Sequence, residues 1–327
     1  MSANRVNQIL NIKYPFVQGS MNWLTSAELV AAVSNAGGLG LLGPNAGQSS
    51  VTRDPVETAD RFRREIRKTR ALTDKPFGAQ YIMGVPGLAD PFSEEILKVI
   101  QEEELRVLMV LGNGKEYEAG QAKRFKDMGF TILWRDLNPS VRSALEVQQA
   151  GVDIYIATGY DEGGALPGEP IGTLSIVPLI ADALEIPVLA AGGIADNRMV
   201  KAVMDVGAEG VYVGTALLVA EESPVSPVCK QDIIHADMND LVLFKAIPTA
   251  WRCIPHKLAI ELAELDHQGA SGPQIAKRMS EVGDIRTAML LGHLDEGIVS
   301  VSNAVNYVRE IRPVKLIIED MMRDIAL

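Results

Sequence analysis

Two glycine groups in the second half of the chain carry the clearest chemistry. Ala190-Ala191-Gly192-Gly193-Ile194 is followed one strand-helix unit later by Val211-Tyr212-Val213-Gly214-Thr215. Each follows a short apolar run and precedes a segment with helical spacing. Bare backbone N–H groups therefore meet the positive end of a helix, an arrangement that cradles phosphate.

Four further segments hold side chains suited to a flat polar ligand. In Gln18-Gly19-Ser20-Met21-Asn22-Trp23, Gly19 and Ser20 let such a ligand approach the backbone, while Met21 and Trp23 can line an apolar wall. Gln80, at the end of Phe77-Gly78-Ala79-Gln80, offers donor and acceptor to a heterocycle edge. Arg135, in Trp134-Arg135-Asp136, suits negative charge developing on a ring, or else simply pairs with Asp136. The loop from Thr158 to Gly168 places Asp161 and Glu162 among glycines. Histidines 235, 256, 267 and 293 are scattered without metal-ligand spacing, so no metal is expected, and no nucleophile elbow is legible.

Positioning these groups requires a repeated β-α unit. Strands are expected over residues 14–18, 39–42, 77–82, 106–111, 131–135, 153–157, 187–191 and 210–213. Helices are expected over 26–35, 55–71, 91–101, 115–128, 140–149, 174–184 and 197–206. Eight parallel strands with right-handed crossovers predict an α/β fold, a (β/α)8 TIM barrel, with function on the loops after each strand. An open doubly wound sheet is the alternative. Gly38 to Gly43 matches G-x-G-x-x-G but follows a helix and contains a strand, so its glycines are read as helix cap and strand start.

After Glu222 the texture changes to Ser-Pro-Val-Ser-Pro and then to helical patterns with no convincing strand. The expected organisation is a barrel of residues 1–222 and 303–327, its last part a returning helix. A smaller helical domain, 223–302, would form a lid over the C-terminal face of the barrel.

The 327 residues carry a formal net charge of -11 and are 47% hydrophobic, which supports a sizeable core and disfavours nucleic-acid or anionic-membrane partners. The basic run 61–70 is interrupted by Glu65 and reads as a solvated helix face. Cys229 and Cys253 form no C-x-x-C pair, and no apolar stretch reaches membrane-span length. A soluble, cytoplasmic protein acting on a small-molecule substrate is expected, with a homodimer possible. Barrel, phosphate cradle, glycine ledge, amide and cation together suggest a flavin mononucleotide enzyme, although another phosphorylated ligand would satisfy the same chemistry.

In this order the segments resemble the nitronate monooxygenases, formerly 2-nitropropane dioxygenases, and the related flavin-dependent enoyl-ACP reductases. The resemblance runs through Ile12 to Pro15 with Gln18 to Met21, Ala31 to Gly40, Leu72 to Gly78, Ala190 to Asp196, and Gly207 to Thr215. It implies FMN held without covalent attachment, with Gly192, Gly193, Gly214 and Thr215 at the phosphate. It further implies Gly19, Ser20 and Met21 along the ring, Gln80 where the family usually has Asn, Arg135 near a position that is Lys in some members, and Gly164 in the loop beside the flavin.

Two departures bear on the chemistry. The family usually reads Gly-Gly-His after strand six, whereas this chain reads Gly163-Gly164-Ala165; near the C-terminus, Ser302-Asn303 replaces a usual Gly-Gln. A nitronate is already an anion and needs no base, so oxidation of alkyl nitronates with O2 is the leading expectation. An NAD(P)H-dependent reductase of an activated alkene or quinone is second, with Glu162, Asp161, Tyr160 or His293 as candidate proton donor. A catalytically quiet flavin-binding barrel is third.

Overall fold

A computed structural model describes residues 4–83, 90–112, 118–247 and 249–325. Its strands are β1 (Phe16–Gln18), β2 (Gly40–Leu42), β3 (Phe77–Ile82), β4 (Val107–Gly112), β5 (Thr131–Asp136), β6 (Ile154–Thr158), a short β7 (Gly164–Ala165), β8 (Val188–Ala191) and β9 (Gly210–Val213). All but β7 form one parallel sheet in the order β1-β9-β8-β6-β5-β4-β3-β2, and a parallel bridge between Val17 and Leu39 joins its two ends. The sheet is therefore a TIM barrel, with all eight expected strands at their expected places.

Period-two alternation sorts each strand. Val17, Leu41, Met109, Leu133, Ile156 and Leu189 fill the barrel interior, while Phe16, Leu42, Leu108, Val110, Ile132 and Tyr155 pack outward under the helices. Helix α1 (Arg5–Leu10) contributes Val6 and Leu10 to the interior cluster, plugging the end at which the strands begin.

The outer helices are α2 (Ala27–Asn35), α3 (Pro55–Leu72), α4 (Pro91–Glu102), α5 (Glu118–Asp127), α6 (Val141–Gln149), α7 (Thr173–Ala181) and α8 (Asn197–Asp205). Ser26, Asp54, Ser140 and Asp196 cap four of them by accepting first-turn N–H bonds. The expected start of α5 at residue 115 lies outside the described residues. A short α9 (Thr215–Leu218) follows β9 directly.

Residues 223–302 are not wholly helical. Besides α10 (Pro227–His235), α11 (Lys257–His267) and α12 (Gly272–Val282), they contain β10 (Val242–Lys245) and β11 (Ala250–Cys253). These pair antiparallel, and β11 then pairs with β7. The four-residue strands are too short to show a period, which is why the sequence pattern hid them. The returning segment is also divided: a 3-10 turn (Asn303–Tyr307) precedes α13 (Val314–Met321), because Pro313 disfavours helical backbone at the residue before it. Helix α13 packs between α8 and α2, completing the ring around the barrel.

The glycines of the G-x-G-x-x-G match serve packing. A Cβ on Gly38 would lie 2.8 Å from the Phe16 carbonyl oxygen, and one on Gly40 would run into the carbonyl oxygen of Val30 in α2. Backbone cannot swing aside as a side chain can. Gly40→Ala is therefore expected to destabilise the barrel by roughly 1–3 kcal/mol, the usual cost of overpacking, read as a lower urea midpoint at unchanged m-value.

Candidate functional site

The barrel mouth holds a cavity of about 260 Å³. Its walls bring together Gly19, Ser20, Met21, Gln80, Arg135, Gly164, Gly192, Gly193, Gly214, Thr215 and Glu162, drawn from six strands of the barrel and the segments that follow them. The remaining wall is largely apolar: Leu24, Ile82, Leu111, Leu137, Ile194 and Leu218, with Ile285 and Met289 from the segment after α12.

Along one side runs a ledge of bare backbone. Gly164 has φ +89° and open space where a Cβ would project; a Cβ on Gly214 would meet only the Met21 sulfur, 3.8 Å away. These positions leave room for a flat group against the main chain. Gly192 and Gly193 take left-handed φ values of +98° and +69°. The Thr215 hydroxyl oxygen accepts from the Ser302 amide at 3.0 Å, so its proton still points to another acceptor. Tyr212 fixes the first loop, its hydroxyl accepting from the Ser20 amide at 2.9 Å.

The same wall carries the contact between Arg135 and Glu162. Alternation along β5 aims Arg135 into the barrel and Asp136 outward, so the two do not pair with each other. Arg135 donates to Glu162 and, at 3.2 Å, to the Thr158 hydroxyl. Asp136 is buried under the helices and accepts from Trp134 (3.0 Å), Ser143 (2.9 Å) and Tyr155 (2.7 Å). One Glu162 oxygen is bound by Arg135, while the other, Oε1, is buried without a hydrogen-bond partner. Burial pushes the Glu162 carboxyl up to about 7, with Arg135 and then Arg252 opposing the rise.

The three other candidate proton donors lie elsewhere. Tyr160 lies 5.3 Å under the Arg252 guanidinium and is not on the cavity wall. Asp161 accepts from the Thr173 amide at 2.7 Å and the Asn303 side chain at 3.1 Å, which spends both carboxylate oxygens on holding the loop against α7 and the C-terminal segment. His293 is exposed on the lid, 3.8 Å from Glu296 and outside the cavity wall. Trp23, expected beside Met21, instead lies 5.6 Å under the Arg286 guanidinium at a lid contact.

Sequence reasoning missed the residues that the hairpin delivers. Arg252 is buried and donates to the carbonyl oxygens of Tyr160 (2.9 Å) and Glu162 (2.5 Å). Ser300 accepts from the Gly164 amide and donates to the Arg252 carbonyl, both at 2.8 Å. Trp251 stands across the ladder from Ala165, lines the cavity, and buries an indole N–H that has no partner. Such an orphan donor costs about 1–3 kcal/mol. The available signal was the pair of four-residue runs flanking Pro248, Val-Leu-Phe-Lys and Ala-Trp-Arg-Cys.

Comparison with known proteins shows extended similarity. The nitronate monooxygenase family model matches residues 3–324. A probable nitronate monooxygenase of Staphylococcus saprophyticus is 32% identical over 282 residues, 75% of this chain and 76% of the relative. The structure of FabK from Thermotoga maritima matches at a TM-score of 0.84 and 33% identity, covering 99% of this chain and 96% of that one. Nitroalkane oxidase from Streptomyces ansochromogenes shares the fold at a TM-score of 0.79 and 22% identity, over 97% of this chain and 96% of that one.

The raised carboxyl of Glu162 has a thermodynamic consequence. The native state keeps its proton to about pH 7 while the unfolded chain gives it up near pH 4.5, so this contribution to stability is complete below pH 4.5 and lost as pH rises through 7. Glu162→Gln should therefore gain on the wild type by on the order of 3 kcal/mol between pH 4.5 and 8, measured by urea unfolding at both pH values. A constant difference would refute the raised carboxyl.

Proposed function

The chain belongs to the nitronate monooxygenase family, and from that premise we propose that it is an FMN-dependent oxidoreductase that oxidises alkyl nitronates with O2. The observation that carries the reading is the cavity itself: a glycine ledge, the Arg135 cation and an apolar wall, with no imidazole among the described residues that line it.

The residues present fit a flavin. Gly192, Gly193, Gly214 and Thr215 would hold the phosphate through N–H and hydroxyl donors. Gly19, Ser20, Met21 and Gly164 would lie along the ring, with Gln80 and Arg135 at its polar edge. When bound, the flavin supplies reversible two-electron transfer between substrate and oxygen. Arg135 contributes a fixed positive charge where the reduced ring becomes negative. The apolar residues take the alkyl chain and exclude water.

Ala165 decides which nitro compound is used. No base at that position can take a proton from a neutral nitroalkane, and a nitronate has already lost it. The wild type is therefore expected to turn over propyl nitronate while neutral nitroethane at pH 7 runs at least about 100-fold slower, the lower end of what a positioned base contributes. Oxygen consumption within the first seconds, before nitroethane ionises, is the measurement; comparable rates would count against the reading.

A second reading is favoured by the match to FabK over 99% of the chain and by Glu162. A carboxyl that keeps its proton to about pH 7 inside the cavity can deliver it to carbon during NAD(P)H-dependent reduction of an activated alkene. Anaerobic rapid mixing of the FMN-loaded protein separates the readings through the yellow flavin band. Bleaching by propyl nitronate alone is expected. Bleaching only by NADPH or NADH would establish the reductase, whose rate would then fall as pH rises through 7 and lose that profile in Glu162→Gln. Bleaching by neither would leave a quiet flavin-binding barrel.

A further inference from the structure

We propose that Arg286 is a positioning residue for the reaction: it seats the turn that roofs the cavity onto the barrel loops after β1 and β2, and so sets how closely the apolar part of a substrate is held. The inference rests on the cavity being the reaction site.

Three observations converge. Residues 286–290 form one wide turn, in which the Leu291 amide donates back five residues to the Arg286 carbonyl at 3.0 Å. Such turns are rare and occur mostly at functional sites. Here Ile285 and Met289 line the cavity, whereas Arg286 does not. The Arg286 side chain instead reaches the barrel: its Nη1 donates to the Ser49 carbonyl at 2.8 Å, and the guanidinium lies 5.6 Å from the centre of the Trp23 ring. Trp23 has a left-handed φ of +66°, which a bulky residue keeps only where its surroundings hold it. Its neighbours Met21, Asn22 and Leu24 line the cavity. One side chain thus joins two walls, the roof it belongs to and the loop after β1.

The chemistry of the side chain fits this task. A guanidinium is planar, so it can lie against an indole while its edge donates to a carbonyl. A lysine ammonium is a point charge and cannot do both. The turn is already fixed on its other side: Asp284 accepts from the Arg286 amide at 2.9 Å, and a Cβ on Gly297 would lie 2.6 Å from the Ala288 nitrogen. Arg286 therefore supplies the tie toward the barrel. A roof held at the right height favours bound substrate and transition state alike, so its loss is felt in binding rather than in the chemical step. Arg286 acts through Trp23, Ile285 and Met289 and is itself outside the cavity wall.

Two variants separate geometry from charge: Arg286→Met keeps the apolar stem alone, and Arg286→Lys keeps the charge as well. In FMN-loaded protein, anaerobic bleaching is followed against propyl nitronate concentration. Quenching of the FMN emission by acrylamide, a neutral probe, reads solvent access to the cavity. Both variants are expected to raise the half-saturating nitronate concentration about 5-fold or more, as loss of a hydrogen bond and a cation–π contact predicts, with the limiting rate within about 2-fold of wild type. Acrylamide quenching should increase in both. An unchanged half-saturating concentration, a fall in the limiting rate alone, unchanged quenching, or full recovery in Arg286→Lys would each overturn the inference, whatever the urea midpoint does. A wild type that propyl nitronate fails to bleach would sink the nitronate reaction instead. The seating of the roof is then decided by quenching, where an increase in both variants upholds Arg286 and no increase removes it.

Discussion

The barrel mouth is organised by one contact, the Arg135 guanidinium on the Glu162 carboxyl. Burial of Glu162 disfavours its anion, so the carboxyl keeps its proton to about pH 7 and the contact is an ion pair only above that. The remaining hydrogen bonding is incomplete: Thr158 takes one guanidinium N–H, while Glu162 Oε1 has no partner among the described residues. The pair is better understood as a device for placing charge than as a source of stability. It fixes a cation at the end of β5 and a proton-retaining carboxyl at the start of the following loop, both facing the same space.

Holding Glu162 there constrains the whole loop after β6. Gly159 has no room for a side chain against Thr173, and a Cβ on Gly163 would lie 2.6 Å from the Val301 carbonyl carbon. Asp161 clamps the loop to α7 and Asn303, while Arg252 binds two of its carbonyls from the hairpin. The loop is thus caught between barrel, C-terminal segment and lid. Pairing of β7 with β11 makes the lid hairpin continuous with the loop by main-chain hydrogen bonds. The hairpin therefore holds the loop that carries the carboxyl.

The barrel was legible because its signal is local. Each β-α unit repeats an apolar run, a capping residue and a 3.6-residue pattern, and eight repetitions make the topology nearly unavoidable. The glycine ledge was legible for a related reason, since a glycine at a strand end is a visible exception to the pattern. The paired state of Arg135 was not: Asp136 is its neighbour in sequence, but alternation turns the two side chains to opposite faces, and the true partner lies in the next loop. The two-carboxylate loop was similarly ambiguous until packing assigned Asp161 to structure and Glu162 to the cavity. Trp251 was the least accessible, because its place on the cavity wall depends on a three-stranded sheet assembled from segments about 85 residues apart.

With Ala165 on the loop after β6, the titratable carboxyl on the cavity wall is Glu162. Burial holds it up to about 7, with Arg135 and then Arg252 opposing the rise, so it is neutral below that pH and an anion above it. The pairing of β7 with β11 runs through Ala165, and Arg252 on the same strand binds the Glu162 carbonyl. The hairpin therefore fixes the main chain that carries the carboxyl, and the group whose charge changes near neutrality is held by residues far from it in sequence.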